Sequence, residues 1–126
     1  MLYTTYFKNT QYLPAYTIKI VVSIFPPREM KINNTSVFHA INLAADKDDF
    51  KNYKNNSISF EKYIENYIYK LENETMSATM IKNIVLAIKK GKDIALVCYE
   101  KDYLTCHRYY LAKYIKDKYN VEWKEL

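Results

Sequence analysis

Apolar residues along this chain follow two different periods, and the changes between them mark out the elements. Leu2 to Phe7 is a run of aromatic and β-branched residues and predicts a strand. Lys8 to Tyr16 carries Asn9, Gln11 and Pro14 and predicts a loop with one helical turn. Ile18 to Ile24 is almost continuously apolar, as in a strand buried on both faces, and Pro26-Pro27 stops it. Arg28 to Ala45 shows neither period and predicts a long irregular segment, a kind of loop that often carries function. Lys47 to Lys54 predicts a short helix ended by Asn55-Asn56.

The helical period is clearest after Ser59, the expected N-cap. Phe60, Tyr63, Ile64, Tyr67, Ile68 and Leu71 recur at i, i+3, i+4, i+7, i+8 and i+11, which is one apolar stripe. A second helix is expected to start at Ser77, with Met80, Ile81, Ile84, Val85 and Ile88 inward and Lys89-Lys90-Gly91 at its end. Asp93 to Cys98 predicts a third strand. Thr105 is expected to cap a last helix running to about Tyr119, and Val121 to Lys124 a short final strand. Strands alternating with helices predict a single α/β domain over 1–126. Its mainly parallel sheet has about four strands with helices on both faces, a Rossmann-like arrangement. Such sheets bind ligands outside the carboxyl ends of their strands, which directs attention to Ser23–Arg28 and Cys98–Arg108.

Composition narrows the chemistry. The 126 residues include one glycine, Gly91, so neither a Walker P-loop nor a dinucleotide Gly-x-Gly-x-x-Gly turn can be built. Two Cys argue against a disulfide scaffold and fit a reducing cytoplasm. Met1 to Tyr6 lacks the basic-then-apolar pattern of a signal peptide, and no run is long enough to span a bilayer. The expected setting is therefore cytoplasmic, with no membrane partner. The formal net charge of +5 comes from lysines spread along the chain, the pattern of a solubilising surface more than of a nucleic-acid stripe. High Lys, Asn, Ile and Tyr points to an AT-rich coding sequence, as in a low-GC bacterium or a phage.

Rare residues collect in one segment. Cys98, Tyr99 and Glu100 leave the third strand, and Cys106, His107 and Arg108 are expected in the first turn of the last helix. Unpaired backbone N–H groups there favour anions, and a cation in the same turn opposes the helix dipole by roughly 0.3–1 kcal/mol. Arg108, one of two arginines in the chain, is thus a candidate anion ligand, or a salt bridge to Glu100 or Asp102. Arg28 is the second candidate anion ligand. Glu100 and His107 are candidate acid/base groups, and Cys106 a candidate nucleophile or redox thiol. Ser23 and the loop through His39 would shape the pocket beside Cys98 and Tyr99. Core packing is the competing account of Cys98, Cys106 and His107. Cys98, Cys106 and His107 also make three potential zinc ligands, but the cysteine spacing is not that of a zinc ribbon and no fourth ligand is evident. Neither a metal nor a cofactor is expected. A Cys-x5-Arg phosphatase loop is absent.

Ile94 to Glu100 followed by Cys106-His107-Arg108 and Leu111-Ala112 resembles the signature of the domain-of-unknown-function 488 (DUF488) family: an apolar strand ending in Cys-x-Glu, a short loop, then Cys-His-Arg opening a helix. Tyr3 to Phe7 is similar to the family's opening strand, and Val21 to Pro26 to its second strand and exit. The end, Val121 to Glu125, is similar to that of short members. Longer members carry an Asp and an Arg at that exit, where this chain has Val22-Ser23-Ile24. The resemblance sharpens fold and site and implies no particular reaction. Two functions stay open. One is a hydrolase or transferase acting on a phosphorylated, nucleotide-like or nucleic-acid substrate. The other is a non-catalytic module binding nucleotide or nucleic acid, or a phage or bacterial accessory interaction protein. A homodimer through the Tyr-rich helices is left open as well.

Overall fold

Five parallel strands form one sheet in the computed structural model, which describes residues 1–126. They are β1 (Leu2–Tyr6), β2 (Ile18–Val21), β3 (Val37–His39), β4 (Ile94–Cys98) and β5 (Trp123–Glu125), in the spatial order β3-β2-β4-β1-β5. The central strand β4 is buried along its whole length, as its unbroken apolar run requires. The α-helices are α1 (Lys47–Lys54), α2 (Phe60–Asn73), α3 (Thr75–Lys89) and α4 (His107–Tyr119). The Rossmann-like α/β reading therefore holds, with five strands where about four were expected. The added one, β3, lies inside the stretch read as irregular. It is three residues long and pairs only with β2 at the sheet edge, too short for a period to register.

Two helix starts differ from the sequence expectation. Ser59 does cap α2, accepting from the Lys62 amide at 3.0 Å. However, α3 begins at Thr75, directly after the Glu74 junction with α2, and Ser77 lies buried inside it. Its hydroxyl donates to the Asn42 carbonyl at 2.6 Å, a tertiary bond in place of a cap. Thr105 is not the cap of α4 either. Asp102 caps a 3-10 turn over Tyr103–Thr105, and Cys106 stands at the N-cap of α4 without a side-chain cap bond. Gly91 sits just beyond the α3 C-cap at φ +91, the left-handed conformation that favours glycine.

Strand register divides the side chains. Leu2, Ile20, Val22, Ile94, Leu96 and Cys98 join the main core with Tyr63, Tyr67 and Leu71 of α2, Ile81, Ile84 and Val85 of α3, and Leu111, Ala112 and Ile115 of α4. The helical connections β3 to β4 and β4 to β5 run in the same direction along the sheet, so right-handed crossovers put all four α-helices on that face. The connection β1 to β2 runs the opposite way and carries a 3-10 helix over Phe7–Tyr12. Helical cover on the two faces is thus unequal. Under the lighter cover the sheet uses small side chains, and Thr5, Val21, Ala95 and Val97 are fully buried. Leaving β2 the chain turns toward one edge, and leaving β4 toward the other. The crevice between their carboxyl ends is the topological switch point. No helix is long and apolar enough to cross a membrane.

Candidate functional site

A cavity of about 980 Å³ opens at this switch point. Ser23, Ile24 and Phe25 line it from the β2 exit, and Cys98, Tyr99 and Glu100 from the β4 exit. Thr105, Cys106 and His107 line it from the start of α4. The far wall is α1 with Tyr63 of α2. Tyr99 joins the two exits, donating from its hydroxyl to the Pro26 carbonyl at 3.0 Å. His39 steadies the same rim through a ring nitrogen 2.9 Å from the Ser23 carbonyl. The Ser23 hydroxyl donates to the Phe25 carbonyl at 2.6 Å, so it shapes the turn after β2.

Lys47, Lys51 and Lys54 also line the cavity. Their spacing, i, i+4 and i+7, places them on one face of α1. Aromatic rings accompany them: the Lys47 ammonium lies 5.1 Å from the Phe25 ring centre, and the Lys54 ammonium 5.4 Å from that of Phe50 and 5.5 Å from that of Tyr53. None of these residues was singled out from sequence. The signal was the i, i+4, i+7 lysine row, which a scattered-lysine composition concealed. The acidic lining groups are Asp48 and Glu100. No cation stands within ion-pair distance of the Glu100 carboxylate. Burial pushes the Tyr63 phenol above its usual range, and the negative field of Asp49 and Glu100 adds to the shift.

The other expected residues fall in three places. Ser23, Cys98, Tyr99, Glu100, Cys106 and His107 converge on the cavity. Arg28 is exposed on the loop beyond the β2 exit and is not part of the lining. Arg108 lies behind the wall at 0% exposure. Its Nε and Nη2 donate to the two Glu125 carboxylate oxygens at 3.2 and 2.9 Å. Nη1 donates to the Glu100 carbonyl and to Cys98 Sγ, the latter at 3.5 Å, and Nη2 donates again to the Lys101 carbonyl at 3.3 Å. All five guanidinium N–H groups are thereby occupied. The partner acid is Glu125 of β5, not the Glu100 or Asp102 side chain considered from sequence. Through its backbone contacts Arg108 fixes the loop that presents Glu100.

His107 points inward from the first turn of α4. Its Nε2 donates to the Val22 carbonyl at 2.5 Å, and its ring meets that of Tyr67 edge-on at 5.1 Å between centres. Burial lowers its pKa from 6.5 to about 4, further lowered by the charges of Arg108 and Lys70 and opposed by the Val22 bond. The imidazole is therefore neutral at neutral pH, with Nδ1 as its acceptor nitrogen. Cys98 and Cys106, expected as separate thiols, are paired with each other. The strand end and the helix N-cap meet at one buried corner, which the eight-residue separation in sequence does not reveal.

These features define a parallel α/β protein with a lysine-lined, aromatic-walled cavity at the carboxyl edge of its sheet. The model of the active DUF488-N3 subclade matches residues 3–119, and the chain belongs to the DUF488 family. Searches of the curated proteins and of the solved structures gave no match.

Proposed function

We propose that the cavity binds an anionic small molecule of nucleotide-like character and that the protein acts on it as a hydrolase or transferase. The carrying observation is the convergence of the α1 lysine row, the aromatic walls and the free Glu100 carboxylate in one cavity. Lysines supply charge to phosphate oxygens without fixing one geometry, and the rings offer stacking faces to a base. Glu100 is the proton-transfer group, and His107 a neutral hydrogen-bond acceptor lining the same cavity. Cys106 acts as a nucleophile only in the reduced form of its pair. Arg108 supports the ligand indirectly, as a positioning residue for Glu100. The match to the active DUF488-N3 subclade favours turnover over binding alone. The concave setting of the lysines favours a small molecule over duplex nucleic acid, whose charge spacing suits an open basic surface.

Calorimetry and thermal unfolding with pyrophosphate and with nucleoside mono- and diphosphates test this reading. Nucleoside diphosphates should bind and raise the Tm, and the paired change Lys47→Ala and Lys51→Ala should abolish both effects. Failure of the folded wild-type protein to bind any of these anions at low salt rejects the proposal.

A further inference from the structure

We propose that the reduced Cys98–Cys106 pair and His107 form a binding site for one thiophilic divalent metal ion, zinc by its chemistry, at the inner end of the cavity. The two Sγ atoms and a His107 ring nitrogen all lie within 4.8 Å of one another, and all three residues are buried. The cysteine Cα atoms stand 7.5 Å apart. Bridged cysteines usually span about 4.4–6.8 Å between Cα atoms, so this backbone spacing is wide for a bridge. It suits two thiolates on one ion, because two Zn–S bonds of about 2.3 Å at a tetrahedral angle hold the sulfurs roughly 3.8 Å apart.

The surroundings fit the same chemistry. The Val22 carbonyl accepts from His107 Nε2, which fixes the tautomer and leaves Nδ1 with its lone pair, as metal-bound imidazoles require. Arg108 Nη1 donates to Cys98 Sγ, a bond that favours the thiolate. Arg108 and Glu125 already neutralise each other. A divalent ion with two thiolates is neutral as well, so the corner buries no net charge. Two thiolates and one imidazole leave a fourth position facing the cavity. That is the open arrangement of catalytic zinc sites, unlike the closed four-ligand set of structural ones.

Loading requires the dithiol. A thiol reductant breaks the S–S bond: two reductant thiols give up two electrons and become a disulfide, and their two protons pass to Cys98 and Cys106. Zinc then binds the two sulfurs and the imidazole and releases those two protons. A small-molecule disulfide reverses this: it takes up two electrons and two protons to become two thiols, the Cys98–Cys106 bond re-forms and the ion leaves, so occupancy follows the thiol poise of the surroundings.

The site does not depend on the anion reading, because metal uptake is measured without organic ligand. Reduced protein, freed of reductant under nitrogen, is titrated with Zn2+ and with Co2+. One ion should bind per chain, with the sulfur-to-cobalt charge-transfer band and strong visible absorption of a tetrahedral thiolate site. Zn2+ should also protect both thiols from alkylation. Outer hydrogen-bond partners of such sites are worth roughly 10–100-fold in affinity, so Cys98→Ser, Cys106→Ser or His107→Gln should each cost roughly 100-fold or more. Cobalt spectra and thiol protection are read on the wild-type chain, so a variant that fails to fold does not spare the proposal. It is overturned if reduced wild-type protein with two reactive thiols shows no thiolate band and no protection by Zn2+. It is equally overturned if well-folded variants bind as tightly as the wild type.

Discussion

Arg108 shows how far one residue's role depends on its neighbours. Its first-turn position opposes the dipole of α4, and a bound anion was one resolution of that conflict. The structure resolves it with the Glu125 carboxylate and with the Glu100 and Lys101 carbonyls. Removing one partner of a buried ion pair costs about 3–5 kcal/mol, and Glu125, at 22% side-chain exposure, recovers part of that through hydration. Arg108→Ala should therefore destabilise the fold by about 3 kcal/mol in denaturant unfolding. Arg108→Lys should recover little, since an ammonium cannot satisfy five separated acceptor contacts. Wild-type stability in Arg108→Ala, with ligand binding lost, would instead make the guanidinium a direct ligand contact. His107 gives a pH signature. Its folded pKa of about 4 lies below its ordinary 6.5, so the unfolded chain takes up the proton first. Its contribution is complete above pH 6.5 and declines as pH falls toward 4, by about 3 kcal/mol in all. The groups facing the ring are the Val22 carbonyl, Tyr67, Lys70, Arg108 and the two cysteines. Comparing the metal-free wild type with His107→Gln between pH 7 and 4 isolates the effect, and parallel stability curves would refute it.

Among the elements, α1 carries the heaviest functional claim on the weakest sequence signal. Its far end was legible because Asn55-Asn56 terminates it; at its start the structure adds Asp46 as the cap, accepting from the Asp48 and Asp49 amides. Its role was not legible. Nothing in Lys47 to Lys54 says which face meets the sheet edge until β2 and β4 place their exits opposite it. Lys51 is exposed, so Lys51→Ala should change stability by less than about 0.5 kcal/mol. The same change should weaken nucleoside diphosphate binding severalfold and flatten its salt dependence, as calorimetry at two ionic strengths would show. Unchanged affinity would remove α1 from the binding wall. The β4–α4 corner was far easier to read, because two cysteines, a histidine and an arginine in a chain poor in all three stand out from chance. What sequence could not supply was depth: it placed Arg108 beside the ligand, whereas packing of Leu111, Ala112 and Ile115 against the sheet turns that residue behind the cavity wall. Likewise Ser77 has the composition of a cap but spends its hydroxyl on the Asn42 carbonyl, a partner 35 residues away.

Across the whole molecule, the last strand is tied to the cavity although it contributes nothing to its lining. β5 pairs with β1, Thr4 donates to Glu125 at 2.7 Å, and Glu125 holds Arg108, which in turn holds the backbone of Glu100 and Lys101. Leu126 closes the circuit, because the Thr5 hydroxyl and the Asn9 amide both donate to its carbonyl. A carboxamide at position 125 loses the charge and keeps one acceptor, so one arm of the Arg108 fork meets a neutral oxygen and the other an amide donor. Glu125→Gln should consequently lower global stability by about 1–2 kcal/mol. It should also free the 99–106 loop more than the rest of the sheet. Hydrogen exchange measured peptide by peptide distinguishes the two effects. Exchange of the 99–106 amides should accelerate beyond the change at β2 and β4, and nucleoside diphosphate affinity should fall with it. Uniform acceleration throughout the domain would mean that the loop holds its shape without Arg108. In that case the position of Glu100 comes from the β4 ladder and the Tyr99 to Pro26 bond alone.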